Sequence, residues 1–173
     1  AENLRICPVW HPPQTFDGQT IWITPGLAFG TGKHPSTALC LERLATLKLA
    51  DTAVLDWGCG SGILAVAALK LGASKALGVD IDHRALAASR ELGAQNLVDD
   101  RLVVCQPQEV PYDLRCQLIV ANLLARTLID LAPTLCRHLT DDGRLLVSGI
   151  LEDQATDIVS AFGSGYAFDT VSR

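Results

Sequence analysis

Short apolar runs alternate along this chain with longer segments in which apolar residues return every three or four positions. Runs of the first kind read as buried strands, and periodic segments read as amphipathic helices. Predicted strands fall at 53–56, 75–80, 101–105, 116–121 and 144–148. Between them, Leu64, Ala67, Ala68 and Leu71 share one helical face, and Gly72 supplies a C-terminal stop. Asp82 is a good N-cap for a helix reaching about Gln95. Leu124, Leu128, Leu131 and Leu135 mark a further helix, which Pro133 is expected to kink or split. Cys40, Leu44 and Leu47 mark an earlier one, with Pro35 in its first turn. Asp142-Gly143 reads as a turn, and a helix over about 152–162 with a strand at 166–171 completes the order. Strand and helix in regular alternation predict an α/β fold: a mostly parallel sheet with helices on both faces.

Residues 1–33 stand apart as an N-terminal arm or linker and covering loop, with 34–173 as the α/β domain, a single domain overall. Within the arm, 4–10 reads as an edge strand because of Pro8, and 20–24 as a second short strand. Composition leaves this picture standing: 49% apolar and 19% charged residues are globular proportions. The net charge of −5 comes with no cationic block, so no direct nucleic-acid binding is expected and a basic partner suits the surface better. No apolar run reaches membrane-spanning length. Six cysteines, without a C-x-x-C pair or metal-ligand spacing, read as reduced thiols in a cytoplasmic protein that binds no metal. Oligomeric state is not legible, and a monomer is the default expectation. The absence of any Met suggests a processed or cut piece.

Candidate chemistry gathers at the predicted strand ends, where ligands of open α/β sheets bind. Asp56 is followed by Gly58-x-Gly60-x-Gly62 and then a helix, a turn whose glycines permit close approach of a ligand to the backbone. Asp80 lies 22 residues after Gly58, where an acidic side chain accepts hydrogen bonds from ribose hydroxyls. That placement serves a dinucleotide as well as an S-adenosylmethionine cofactor. Asn122 ends the fourth predicted strand, and its amide is suited to hold an attacking amine. Upstream, three glycines and Phe29 within 26–32 form a loop that reads either as an unremarkable connector or as a lid with Phe29 and Thr37 over a ligand. His34 reads as a brace for the helix that follows, with proton acceptor as the alternative. His11, His83 and His138 read as surface residues, and 106–109 as the place to look for adenine contacts.

In order, Ala28-Phe29-Gly30-Thr31-Gly32-Lys33-His34, Asp56-Trp57-Gly58-Cys59-Gly60-Ser61-Gly62, Gly78-Val79-Asp80, Ala121-Asn122-Leu123-Leu124 and Ser148-Gly149-Ile150-Leu151 resemble the bacterial methyltransferases of large-subunit ribosomal protein eleven. The resemblance runs from about 20 to 155, and its most specific part is the loop before His34. It implies a Rossmann-like S-adenosylmethionine-dependent methyltransferase fold of seven strands, shortened here at the C-terminus, with a separate recognition domain absent. It implies methylation of Lys ε-amines and an N-terminal α-amine of a ribosomal protein. Carried over by position, Thr37, Gly58, Asp80 and Asn122 become the main cofactor contacts, with Phe29, Thr31, Asp56, Gly60 and Gly62 beside them and Asn122 also catalytic. Leu123 and Leu124, standing where base methyltransferases often carry Asn-Pro-Pro-(aromatic), argue against a flipped base as substrate. Alternatives are a methyltransferase of this fold with another protein-lysine or small-amine acceptor, and a non-catalytic cofactor-binding scaffold. A dehydrogenase reading trails both.

Overall fold

The computed structural model describes residues 3–11, 15–24, 34–163 and 165–169. Its strands are β1 (Leu4–Pro8), β2 (Gln19–Ile23), β3 (Ala53–Trp57), β4 (Lys75–Val79), β5 (Leu102–Cys105), β6 (Cys116–Asn122) and β7 (Leu139–Ser148). Its α-helices are α1 (Pro35–Thr46), α2 (Ile63–Lys70), α3 (His83–Gln95), α4 (Ala125–His138) and α5 (Ala155–Phe162). The main sheet is parallel throughout in the order β5-β4-β3-β6-β7. Chain order therefore reverses beside β3, and the crevice of such a fold opens at the carboxyl ends of β3 and β6.

Side-chain alternation divides the core between the two faces. Val54, Leu118 and Val120 meet α1 and α2 on one side, where Leu44 and the Ile63–Leu69 run are all buried. Leu55, Trp57, Ile119 and Ala121 meet α4 and α5 on the other, through Leu128, Leu135, Ile158 and Phe162. The strands read as near-continuous apolar runs because both faces are covered. The predicted fold class holds.

Four local expectations need correction. β7 starts at Leu139, directly after α4, and is irregular between the Cys116–Leu139 and Leu118–Arg144 pairs. The chain doubles back so tightly at Gly143 that a Cβ there would lie 2.7 Å from Leu139 Cδ1 and 2.9 Å from the Thr140 carbonyl oxygen. Asp142-Gly143 is therefore a bend inside a strand. Helix α4 runs through Pro133 as one element, with the proline on its exposed side. The expected strand at 166–171 is not formed over 166–169, and its remainder lies outside the described residues. His138 is buried at 3% exposure, hydrogen-bonded through Nδ1 to the Leu114 carbonyl at 3.0 Å and stacked on Trp57. Its lack of sequence neighbours at useful spacing hid partners that the sheet supplies.

The arm is anchored to the domain. β1 and β2 pair in parallel, and Leu4, Ile21 and Ile23 join the core cluster of α1 and α2. Asn96 at the end of α3 clasps the outer edge of β2: the Trp22 N–H donates to Asn96 Oδ1 (2.8 Å), and Asn96 Nδ2 donates to the Trp22 carbonyl (2.9 Å). Among the described residues, no helix is long and apolar enough to cross a membrane, and no His, Cys, Asp and Glu cluster could hold a metal ion.

Candidate functional site

The turn after β3 is shaped by three left-handed glycines: Gly58 at φ +78°, Gly60 at +54° and Gly62 at +77°. Four of its backbone donors are spent inside the protein. The N–H groups of Gly58 and Cys59 both donate to the Val79 carbonyl (2.7 and 3.0 Å), and that of Gly62 donates to the Cys59 carbonyl (2.7 Å). From beneath, Ser89 on α3 donates its hydroxyl to the Gly60 carbonyl (3.0 Å) and touches Cys59 Sγ at 3.4 Å. Ser89 is fully buried and packs where a Cβ on Gly62 would stand. Sequence reasoning missed Ser89. Its only signal was a lone hydroxyl on the inward stripe of a helix.

The carboxylates divide the work of holding this turn. Gly62 is the N-cap of α2 and has no side chain to cap with; Asp56 does it from the neighbouring strand, Oδ2 accepting the Ala65 N–H at 3.0 Å. Asp56 is 1% exposed, so it braces the glycine turn from below. Burial, more than the neighbouring Asp80 charge, pushes its carboxyl up to about 7, against the lowering effect of the Ala65 bond. Its proton is held in the folded state over the range where the unfolded chain releases it. This carboxyl therefore contributes less stability as pH rises from about 4 to about 7, with the loss complete above its folded pKa. Asp56→Asn, whose amide oxygen can still accept from Ala65, is expected to flatten that slope in urea titrations from pH 4 to pH 8. An unchanged slope would assign it to other groups.

Asp80 follows β4 and faces the turn. Its Oδ2 accepts the Gly60 N–H (2.9 Å), and its Oδ1 accepts the Asp82 N–H (3.0 Å). Two acceptors with about four lone-pair sites leave room for further donors. Beyond it Ile81 is 79% exposed, and Gln106 reaches back to donate Nε2 to the Ile81 carbonyl at 3.3 Å. Residues 106–109, singled out above, thus stand beside Asp80, with Glu109 accepting the Gln106 N–H at 2.7 Å.

Across the switch point, Asn122 ends β6 and donates Nδ2 to Thr37 Oγ1 at 3.1 Å, a bond spanning 85 residues of sequence. That bond turns Oδ1 the other way, toward Gly149, where an added Cβ would lie 3.0 Å from it. The N-terminus of α1 is laid over these strand ends. His34 caps it, Nδ1 accepting the Ser36 N–H (3.4 Å) and meeting the Ser36 hydroxyl (2.7 Å), while Ser148 donates its hydroxyl to the Ser36 carbonyl (3.1 Å). His34 is thus a brace in this structure. Of the predicted site residues, Thr37, Asp56, Gly58, Gly60, Gly62, Asp80 and Asn122 gather around one crevice, from β3, β4, β6 and α1. Phe29 and Thr31 lie outside the described residues. The buried thiols of Cys40 and Cys59 near this crevice are pushed up to about 11 and about 12 by burial, which keeps them protonated and unreactive.

Comparison with known proteins gives a consistent picture. A family model described as ribosomal protein L11 methyltransferase matches residues 1–173. A protein of that name from Shewanella sediminis is 47% identical over 169 residues, covering 98% of this chain and 58% of its own length. The chain thus spans a little over half the length of such relatives. A crystal structure of ribosomal protein L11 methylase from Lactobacillus delbrueckii subsp. bulgaricus superposes with a TM-score of 0.85 at 36% identity, over 95% of this chain and 86% of that one. More distantly, a SAM-dependent methyltransferase from Geobacter sulfurreducens in complex with S-adenosyl-L-homocysteine shares the fold, with a TM-score of 0.56 at 21% identity over 66% of this chain and 49% of that one. On the full-length family match and this identity, the chain belongs to the ribosomal protein L11 methyltransferase family.

Proposed function

We propose that this chain is the cofactor-binding and catalytic part of a cytoplasmic, S-adenosylmethionine-dependent protein N-methyltransferase that modifies amino groups of a ribosomal protein, with Lys ε-amines and an N-terminal α-amine as acceptors. One observation carries the choice of cofactor. A dinucleotide needs free backbone donors at the glycine turn for its pyrophosphate. Here the N–H groups of Gly58, Cys59, Gly60 and Gly62 are already engaged within the protein, two of the turn's supports are the carboxylates Asp56 and Asp80, and Asp80 itself takes the Gly60 N–H. The Asp80 carboxylate beside the turn disfavours a pyrophosphate and suits a cofactor with a ribose and a cationic sulfonium. S-adenosylmethionine, when bound, supplies an electrophilic methyl group. Asp80 would hold its ribose hydroxyls, the exposed Ile81 would meet the apolar face of its adenine, and the turn at Gly58–Gly62 together with Thr37 would line the rest.

For the acceptor, the difficulty is protonation. A Lys amine with a reference pKa of about 10.4 costs roughly 4 kcal/mol to neutralise near pH 7.4, an α-amine under about 1 kcal/mol. Asn122 Oδ1, with Nδ2 tied to Thr37, is an oriented neutral acceptor that binds an amine N–H without stabilising the ammonium as a carboxylate would. Burial of the amine against the strand ends supplies the remaining bias. In the protein at the full length of its relatives, Asn122→Ala is expected to slow methyl transfer to ribosomal protein by about thirtyfold, the loss of one oriented hydrogen bond worth about 2 kcal/mol. A rate within twofold of wild type would remove the positioning role. Calorimetric titration tests the cofactor directly: S-adenosylmethionine is expected to bind, and NAD binding in its place would end this reading.

A further inference from the structure

The first turn of α1 is fastened to two neighbouring strands through consecutive residues. Thr37 Oγ1 accepts Asn122 Nδ2 at the end of β6 (3.1 Å), and the Ser36 carbonyl accepts the Ser148 hydroxyl at the end of β7 (3.1 Å). Asn122 and Ser148 are register partners in the sheet, and the Leu123 N–H donates to the Ser148 carbonyl (3.0 Å). Ser148, Ser36, Thr37, Asn122 and Leu123 therefore close a ring through α1, β6 and β7. Strands stand about 4.8 Å apart and consecutive Cα atoms about 3.8 Å, so the two bonds together lay the turn across the strand ends. The Ser148 bond is a tether and not a helix bond. A carbonyl in the first turn already accepts the N–H four residues on, so α1 forms without a second donor. The Cys40 thiol, one turn along α1, also shares a hydrogen bond with Ser148. Gly149 leaves the ring little slack: a Cβ there would lie 2.6 Å from the Leu123 carbonyl oxygen and 3.0 Å from Asn122 Oδ1.

We infer that Ser148 is a positioning residue for methyl transfer: its hydroxyl holds Thr37 against Asn122 and so fixes which end of the Asn122 amide faces the reacting amine. This rests on the reading above, in which Asn122 Oδ1 orients that amine. A terminal amide rotates between two broad wells, and half a turn exchanges its oxygen for its nitrogen. Nδ2 would then set N–H groups against an N–H, and the amine would lose its acceptor. With the Thr37 bond alone, the first turn of α1 can pivot about Thr37. The second bond, from Ser148, stops that pivot, and the Asn122 amide keeps one orientation.

Two measurements test it. In this chain, solvent exchange of the Asn122 side-chain amide protons, followed by NMR, is expected to be slow in wild type and about fivefold faster in Ser148→Ala. In the protein at the full length of its relatives, Ser148→Ala should lower kcat for methyl transfer to ribosomal protein about fivefold and leave the acceptor KM within about twofold. Ser148→Thr keeps the hydroxyl on a residue suited to a strand and should restore both exchange and rate. In an Asn122→Ala background, Ser148→Ala should cost nothing further, because the group it positions is gone; a general loosening of the fold would exact its loss there too. Wild-type Asn122 protons exchanging as fast as those of acetamide would overturn the inference. So would a full additional loss in the Asn122→Ala background, or a loss in Ser148→Ala that Ser148→Thr does not restore. Asn122→Ala within about twofold of the wild-type rate would remove the amine-positioning reading, and this inference with it. Slow Asn122 exchange in that case would show that the ring stands and that the failure lies in the chemistry assigned to Asn122.

Discussion

Gly62→Ala is expected to lower the free energy of unfolding by about 3 kcal/mol, from left-handed strain of about 1 kcal/mol and overpacking of about 2 kcal/mol. Gly62 sits at φ +77°, so any side chain is strained there. The space is also taken: a Cβ would stand 2.7 Å from Ser89 Oγ, 2.9 Å from Ser89 Cβ and 3.0 Å from Ser89 Cα. Relief requires α3 to move away from the start of α2, and α2 is buried along its whole Ile63–Leu69 run. Interiors packed at crystal density transmit such a shift instead of absorbing it. Gly72 provides the control. It too has positive φ, +110°, but the nearest atom to its Cβ is the Ala50 nitrogen at 4.0 Å, so Gly72→Ala carries the conformational cost alone, about 1 kcal/mol. Urea denaturation of both variants measures the difference. Equal losses would mean that Ser89 yields freely and that the turn is not wedged against α3.

Asp80→Ala is expected to weaken S-adenosylmethionine binding by more than about a hundredfold, equivalent to about 3 kcal/mol. Its carboxylate has two tasks. In the structure it fixes the turn, accepting from Gly60 and from Asp82. In the proposed complex its spare acceptor capacity receives ribose hydroxyls, and a hydrogen bond to a charged group contributes about 1.5–3 kcal/mol. Alanine removes both and releases the Gly60 N–H. Asp80→Asn keeps one acceptor oxygen, so its loss should be smaller. Calorimetry on the two variants checks the order, and an Asp80→Ala affinity within threefold of wild type would remove Asp80 from the site.

Much of this was legible because it is local. The five strands of the main sheet and their helices are written in short apolar runs and helical periodicity, since each element must bury a face whatever its neighbours are. Asp82 as N-cap and Gly72 as stop depend on residues within one turn of them. The same holds for His34, whose ring braces α1 through Ser36, two residues on. Where partners are distant, spacing was silent. His138 looked like a surface residue because Trp57 and Leu114 reach it only through the sheet. The bend at Gly143 was read as a turn between elements because a strand's continuation depends on its neighbour, β6.

The candidate site divides along the same line. By itself the sequence determined the family, the α/β fold and the positions of Gly58, Gly60, Gly62, Asp80 and Asn122 at strand ends, since motif spacing and apolar patterning are properties of a linear chain. Only the tertiary structure decided what those residues do for one another. It spent Asp56 on capping α2, tied Asn122 to Thr37 across 85 residues, and gave the Gly60 N–H to Asp80. The last of these engaged within the protein a backbone donor that the glycine motif, taken as sequence, leaves open to a ligand. The reason is physical: a hydrogen-bond donor is free or engaged according to what stands opposite it, and what stands opposite Gly60 is set by the pairing of β3 with β4.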